Sequence, residues 1–315
     1  MPQKLKTAEV SKTLLSRIFV KQVVILVVFG LAYSCSYFDP EVEIPSYIQI
    51  DTFSFQSPGP DSTGFPTQKI SEVWLYANNQ VLGVYELPTG KIPVLASGKT
   101  NITVQAGVYT DGVRKNRVYY PFYRAFETEV VLEKEKTTQI LPHFSYTAQK
   151  KKPFNYFQDF ESSDSGTSRG VNGTVYIDRL LHSGDVTVSQ FGNRYARLST
   201  SSASDVIEFS NNAYVPMPVN GNPVYLEFDY KSTCSIYVGV HCTIGGVAQG
   251  SVGDLVLNAN EKWTKIYVSL SEETNKFSAE ASLQRKQAKF RFFLKTLTEP
   301  GAGNNLCIDN VRLIY

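Results

Sequence analysis

The 315-residue sequence has little of what most often performs chemistry: three histidines, four cysteines, two tryptophans and two methionines. His143, His182 and His241 are far apart and fall in different expected elements. Each therefore reads as a surface or interface residue rather than as a general base. No Cys-x-x-Cys pair occurs, which removes zinc-ribbon and thioredoxin-like readings. Also missing are a Gly-x-Ser-x-Gly elbow, a His-Glu-x-x-His helix and a glycine loop ending in Lys-Ser/Thr. The glycine-rich "GGVAQGSVG", residues 245–253, lacks that ending and reads as a flexible connection between strands. There is no concentrated basic face of the kind that nucleic acid requires. Helical periodicity is almost absent, and the one helix expected is short, "SAEASLQRKQ" at residues 278–287.

What is present begins with an address. Lys4, Lys6, Lys12, Arg17 and Lys21 form a basic flank opposed only by Glu9, and the apolar run "VVILVVFGLAY" follows at residues 23–33. About 11 residues rise only ~16 Å as a helix, whereas a bilayer span needs roughly 20 residues. Basic flank, short apolar core and small residues before a break describe a secretory signal. The alternative is an uncleaved anchor, because the run reaches back through Leu14, Leu15, Ile18, Phe19 and Val20. Removing residues 1–34 leaves 26 basic and 28 acidic side chains, so the basic balance of the full chain belongs partly to the signal.

The remaining residues are enough for one large or two modest domains. The sequence has 19 Tyr and 19 Phe, and short Val, Ile, Thr and aromatic runs broken by Gly, Pro, Asn and Asp point to an all-β protein. In a first block, residues 45–146, "SEVWLYANNQVLGVYEL" reads as a hairpin turning at Asn78-Asn79. Lys150, Lys151 and Lys152 before Pro153 read as a solvated linker at residues 147–153. The second block, residues 154–315, holds "RYARLST", "SDVIEFS", "PVYLEFDYKS", "CSIYVGVHCTI", "KWTKIYVSLS", "KFRFFLKT" and "NNLCIDNVRLIY" as separate strands. Within one strand Cys234 and Cys242 stand about 26 Å apart, too far for the roughly 7 Å of a disulfide. Either is free to meet Cys307, and one thiol is left over.

Several stretches resemble known families. "LAYSC" resembles the bacterial lipoprotein signal, in its loose Bacteroidota form, with Tyr33 bulkier than the usual pattern. The resemblance implies lipidation at Cys35, a tether at residues 35–44, and a lipid-anchored outer-membrane protein on the periplasmic or the surface side. "VWLYANNQVLGVYELPTGKIPVL" resembles the PEGA-type immunoglobulin-like modules of envelope proteins. The opening "FNYFQDFES", the strand "WTKIYVSLS" and the closing "IDNVRL" resemble galactose-binding-like jelly rolls of carbohydrate-binding modules. The fold expected is thus an immunoglobulin-like sandwich followed by a jelly-roll β-sandwich.

That resemblance implies a structural calcium tying the first strand to the last, with Asp159, Glu161 and Asp309 as ligands. The plainer reading of Asp309 is a turn cap. Sugar recognition uses aromatic platforms, and Tyr176, Phe191 and Tyr214 lie near expected loops. Trp263 and Trp74 read as core. Glu227 and Asp229 in "LEFDYKS" resemble the paired carboxylates of jelly-roll glycosidases, but Lys231 and Ser232 stand where a third acid belongs. Alternation with Leu226, Phe228 and Tyr230 accounts for the pattern. The leading expectation is a non-catalytic, lipid-anchored envelope protein that binds glycan. Its alternatives are a protein-binding accessory subunit of a secretion or gliding machine, and a glycan hydrolase.

Overall fold

The computed structural model describes residues 20–25, 43–56, 65–147, 154–162, 167–169, 173–182, 192–202, 204–296 and 303–315. Cys35, Phe191 and the three linker lysines lie outside these residues. Residues 20–25 are helical, and among the described residues no helix is long and apolar enough to cross a membrane.

The first block contains β1 (Ser46–Gln49), β2 (Ser54–Gln56), β3 (Glu72–Ala77), β4 (Gln80–Glu86), β5 (Ile92–Val94), β6 (Gly98–Tyr109), β7 (Arg117–Tyr119), β8 (Phe126–Leu132), β9 (Thr137–Gln139) and β10 (His143–Ser145). Period-two alternation explains its larger sheet, β4-β3-β6-β7 with β8 on β6. Val73 and Leu75 on β3 and Ile102, Val104, Ala106 and Val108 on β6 are buried. Asn78 and Asn79 carry φ of 48° and 65° in the β3–β4 turn. Two successive left-handed residues give the turn that matches strand twist, which asparagine tolerates. Smaller sheets β5-β1-β9 and β10-β2 complete the block.

The second block contains β11 (Tyr156–Gln158), β12 (Thr167–Arg169), β13 (Asp178–Leu181), β14 (Arg194–Ser199), β15 (Glu208–Asn211), β16 (Tyr225–Ser232), β17 (Ile236–Ile244), β18 (Val247–Leu257), β19 (Asn260–Ser269), β20 (Ala288–Thr296) and β21 (Asn305–Ile314), with helices α1 (Ser271–Asn275) and α2 (Ser278–Gln284) before β20. A six-stranded sheet, β13-β14-β21-β16-β19 with β11 on β21, packs on a five-stranded sheet, β12-β15-β20-β17-β18. Leu226, Phe228, Ile308 and Leu313 of one meet Phe209, Val240, Phe290 and Phe292 of the other in a single core. Each such side chain contributes about 1.5–3 kcal/mol by leaving water. The protein is all-β, as alternation indicates.

Three local expectations are corrected. The helix stops at Gln284 because Arg285 turns left-handed at φ 50°. The glycine-rich stretch is not a loose connection: Gly245 and Gly246 turn the chain and the rest is strand β18. Cys234 precedes β17 rather than sharing it, and Cys234, Cys242 and Cys307 are all buried. Burial pushes the Cys242 thiol up to about 11, so it is a packing residue and not a nucleophile.

Residues 46–315 form one compact unit. Among the described residues the strands of each block pair among themselves, apart from a single bridge between Thr110 and Tyr267. The cores nevertheless meet: Tyr225, Tyr267 and Ile314 of the second block belong to the hydrophobic cluster of the first.

Candidate functional site

Along β17 and β20, alternation sends Val238, Val240, Phe290 and Phe292 into the core and turns Tyr237, His241, Arg291 and Phe293 outward. Register places His241 opposite Arg291 and Gly239 opposite Phe293. A Cβ on Gly239 would sit 2.2 Å from the Val252 carbonyl oxygen and 2.7 Å from Phe293 Cζ. Only glycine therefore lets the phenyl ring settle there. That ring packs with its centroid 4.6 Å from the imidazole of His241 and 5.4 Å from the ring of Tyr237.

A polar row crosses this aromatic floor. Ser251 Oγ lies 2.5 Å from His241 Nδ1, and His241 Nε2 lies 3.2 Å from Glu208 Oε1. Glu208 is fully buried and Ser251 is exposed. A neutral imidazole protonated on Nε2 satisfies both bonds, donating to the carboxylate and accepting from the hydroxyl. Alongside, Arg291 donates from Nη2 to Ser210 Oγ at 2.7 Å, and its guanidinium lies 5.8 Å from the Tyr214 ring. Half-buried Tyr214, Tyr237 and Arg291 thus share a face with an exposed serine hydroxyl. His241 is correspondingly not a surface residue.

Of the aromatic platforms expected, Tyr214 falls on this face. Tyr176 is 76 % exposed on the connection between β12 and β13, and Phe191 is outside the described residues. Trp263 is corrected from core to the outer face of the six-stranded sheet. Its ring is half-buried, 5.3 Å from Tyr195 and 5.2 Å from His182. Lys231 Nζ stands 5.3 Å from the same indole. His182 is likewise not at the surface, because its side chain is 1 % exposed and its Nε2 is 2.9 Å from Asp309 Oδ2.

Asp309 is in the middle of β21 and not at a turn. Burial and then the carboxylate of Asp229, its partner across β16, hold its carboxyl well above the usual range; Asp159 and Glu161 add smaller repulsions. These acids are within electrostatic reach of each other, but their oxygens hold protein donors. Glu161 Oε1 accepts the backbone N–H of Asn193 at 2.6 Å and of Arg194 at 2.8 Å. Asp159 Oδ1 accepts the Glu161 N–H at 3.2 Å, and Asp309 Oδ1 accepts that of Asn310 at 2.7 Å. Among the described residues no three His, Cys, Asp or Glu side chains converge as a metal ion requires.

Glu227, on the same face as Asp229, is not poised for chemistry either. Tyr120 and Tyr146 of the first block each donate a hydroxyl to it at 2.6 Å. Lys265 Nζ approaches at 3.2 Å and Arg312 Nη1 at 3.9 Å. Arg312 also donates to Thr67 Oγ1 at 3.2 Å and lies beneath the rings of Tyr146, Phe154 and Phe157. This carboxylate clamps the two sandwiches together.

No family model matches the chain, and no curated protein matches it in sequence. Solved structures do match. A carbohydrate-binding module of the beta-sandwich superfamily aligns with 88 % of this chain and 100 % of its own, at 12 % identity and a TM-score of 0.39. A family 11 carbohydrate-binding module from Clostridium thermocellum, solved with a β-1,3-1,4-mixed-linked tetrasaccharide, covers 50 % of this chain and 94 % of its own, at 12 % identity and a TM-score of 0.32. A family 29 module covers 50 % and 88 %, at 10 % identity and a TM-score of 0.30. At such identities a likeness concerns the fold alone.

Proposed function

We propose that this chain is a non-catalytic, lipid-anchored envelope protein that binds glycan on the outer face of its five-stranded sheet. The observation that carries the reading is the face itself: the Tyr214 and Tyr237 rings beside the Ser251–His241–Glu208 row and the Arg291 guanidinium. A pyranose has an apolar face that stacks on an aromatic ring, and hydroxyls that bond well to charged or charge-backed groups. The row holds Ser251 Oγ in one orientation, so little rotamer freedom is lost on binding. Anchoring through Cys35 to the outer membrane belongs to the same proposal and is supported by the basic flank and apolar run before it. Calcium at Asp159, Glu161 and Asp309 is part of it too, and an ion there would have to displace His182 from Asp309.

A second reading rests on the same row, which stands in the order nucleophile, base, carboxylate used by serine hydrolases. A glycan array on the full chain in detergent, repeated with Tyr214→Ala and Arg291→Ala, separates the readings. Binding that both variants lose while keeping the wild-type melting temperature supports the glycan face. Covalent labelling of Ser251 by a fluorophosphonate would replace it with hydrolysis. Capture of an envelope protein with no glycan retained would replace it with the protein-binding alternative.

A further inference from the structure

On the opposite sheet of the jelly roll, residues 66–69 of the first block border a cleft of about 320 Å³. Its lining includes Thr67, Gln68 and Lys69 from one sandwich and Asp229, Trp263 and Lys265 from the other. A second cleft of about 250 Å³ shares Lys69 and Lys265. The Lys69 ammonium donates to Thr264 Oγ1 at 2.9 Å, between groups that line both clefts.

The charges of this lining are unequal. Lys265 already has Glu227 at 3.2 Å, and Asp229 is buried with its carboxyl pushed upward by desolvation, which favours the neutral acid. Lys69 forms no ion pair among the described residues. Partial burial draws its amine below the ordinary lysine range, and the acid in the same lining, Asp229, is held toward its neutral form. An exposed ammonium at the mouth of a cleft, held on a hydroxyl and not on a carboxylate, is available to an incoming anion. Trp263 supplies an apolar wall, backed by Tyr195 and His182 at 5.3 and 5.2 Å, and Thr67 and Gln68 supply hydroxyl and amide groups. The volume is at the lower end of the ~300–1,000 Å³ typical of small-molecule sites, which suits one sugar ring better than a chain.

We propose that this cleft binds a single carboxylated sugar, a hexuronic acid residue, with the carboxylate at Lys69, the ring against Trp263 and its hydroxyls at Thr67, Gln68 and Asp229. The site is separate from the glycan face and stands or falls independently of it. It gives the protein specificity for an acidic terminus, whatever the long sheet face holds.

Calorimetric titration of the full chain in detergent at low salt tests it, with digalacturonate, its methyl ester, galactobiose and inorganic phosphate as probes. Digalacturonate binds saturably, and the ester and galactobiose bind at least about tenfold more weakly, since each tenfold is ~1.4 kcal/mol. Added salt weakens the acid but not the neutral sugars. Lys69→Gln, an exposed substitution, loses about tenfold for digalacturonate, and Trp263→Ala loses binding that Trp263→Phe partly restores. Lys134→Gln, an exposed lysine in the turn after β8 and outside both sites, keeps wild-type affinity. Equal binding of acid and ester, wild-type affinity in Lys69→Gln, phosphate binding as tightly as the sugar acid, or no saturable heat with any probe would each overturn the proposal.

Discussion

Glu227 offers the sharpest test of how the two sandwiches are joined. Its side chain is wholly buried, and four groups converge on it: two tyrosine hydroxyls at 2.6 Å, Lys265 at 3.2 Å and Arg312 at 3.9 Å. Glu227→Gln keeps the volume but removes the charge that Lys265 and Arg312 share. Breaking a buried ion pair from one side costs about 3–5 kcal/mol. Here the amide still bonds the tyrosines and Arg312 retains Thr67, so the expected loss is about 2–4 kcal/mol. Glu227→Ala, which also orphans both hydroxyls, should exceed it, while Tyr120→Phe and Tyr146→Phe each cost about 1.5–3 kcal/mol, as for hydrogen bonds to charged groups. The assay is urea unfolding followed by tryptophan fluorescence. The chain has only two tryptophans, Trp74 in the first block and Trp263 in the second, so Trp74→Phe and Trp263→Phe report the blocks separately. With Glu227 intact the two probes should trace one transition, and with Glu227→Gln both should move to lower urea and part from each other. A Glu227→Gln protein within ~0.5 kcal/mol of its parent, or probes that already diverge with Glu227 present, would refute the clamp.

Three further outcomes are expected. Burial raises both Asp229 and Asp309, so their stabilising effect is complete only below the unfolded carboxyl value of ~3.9 and is lost as pH rises through the folded values. Melting temperature should therefore fall from about pH 4 toward neutrality, and Asp309→Asn, whose carbonyl can still accept from His182, should flatten that decline; an unchanged slope would show that Asp309 is not the group responsible. Cys35→Ala should move the protein from membranes to the soluble fraction, whereas sedimentation that survives a high-salt wash would favour an uncleaved helix. If calcium joins Asp159 and Glu161 to Asp309, a chelator should lower the melting temperature and Asp309→Ala should abolish the response, and superimposed curves on metal-free protein would leave these carboxylates to their protein donors.

Alternation made most of the strands readable. It placed Leu226, Phe228 and Tyr230 on one face of β16 and Glu227 and Asp229 on the other, and the Asn78-Asn79 pair marked its hairpin. It could not say what covers an outward face. Glu227 reads as a solvated carboxylate until Tyr120 and Tyr146, 107 and 81 positions away, are folded onto it. Trp263 reads as core for the matching reason, because position within a strand does not tell which side of the sheet is the core. The Ser251–His241–Glu208 row was hidden more deeply. It draws on three strands, and bulges between Val238 and Val240 and between Cys242 and Thr243 shift the β17–β18 register that puts Ser251 opposite His241. Local pattern carries no record of such a shift.

The position of β21 has a consequence in time. This last strand lies between β14 and β16 in the interior of its sheet, and Arg312 within it bonds Phe65 and Thr67, 247 and 245 positions earlier. A chain emerges from the ribosome at roughly 5–20 residues per second, so residues 65–67 wait on the order of tens of seconds for that partner. Tyr120, Tyr123 and Tyr146 wait for β16 and β19 in the same way, with their rings uncovered. Such surface is what holdase chaperones bind, and the late arrival of the closing strand prolongs its exposure. The half of the molecule that is made first is completed last.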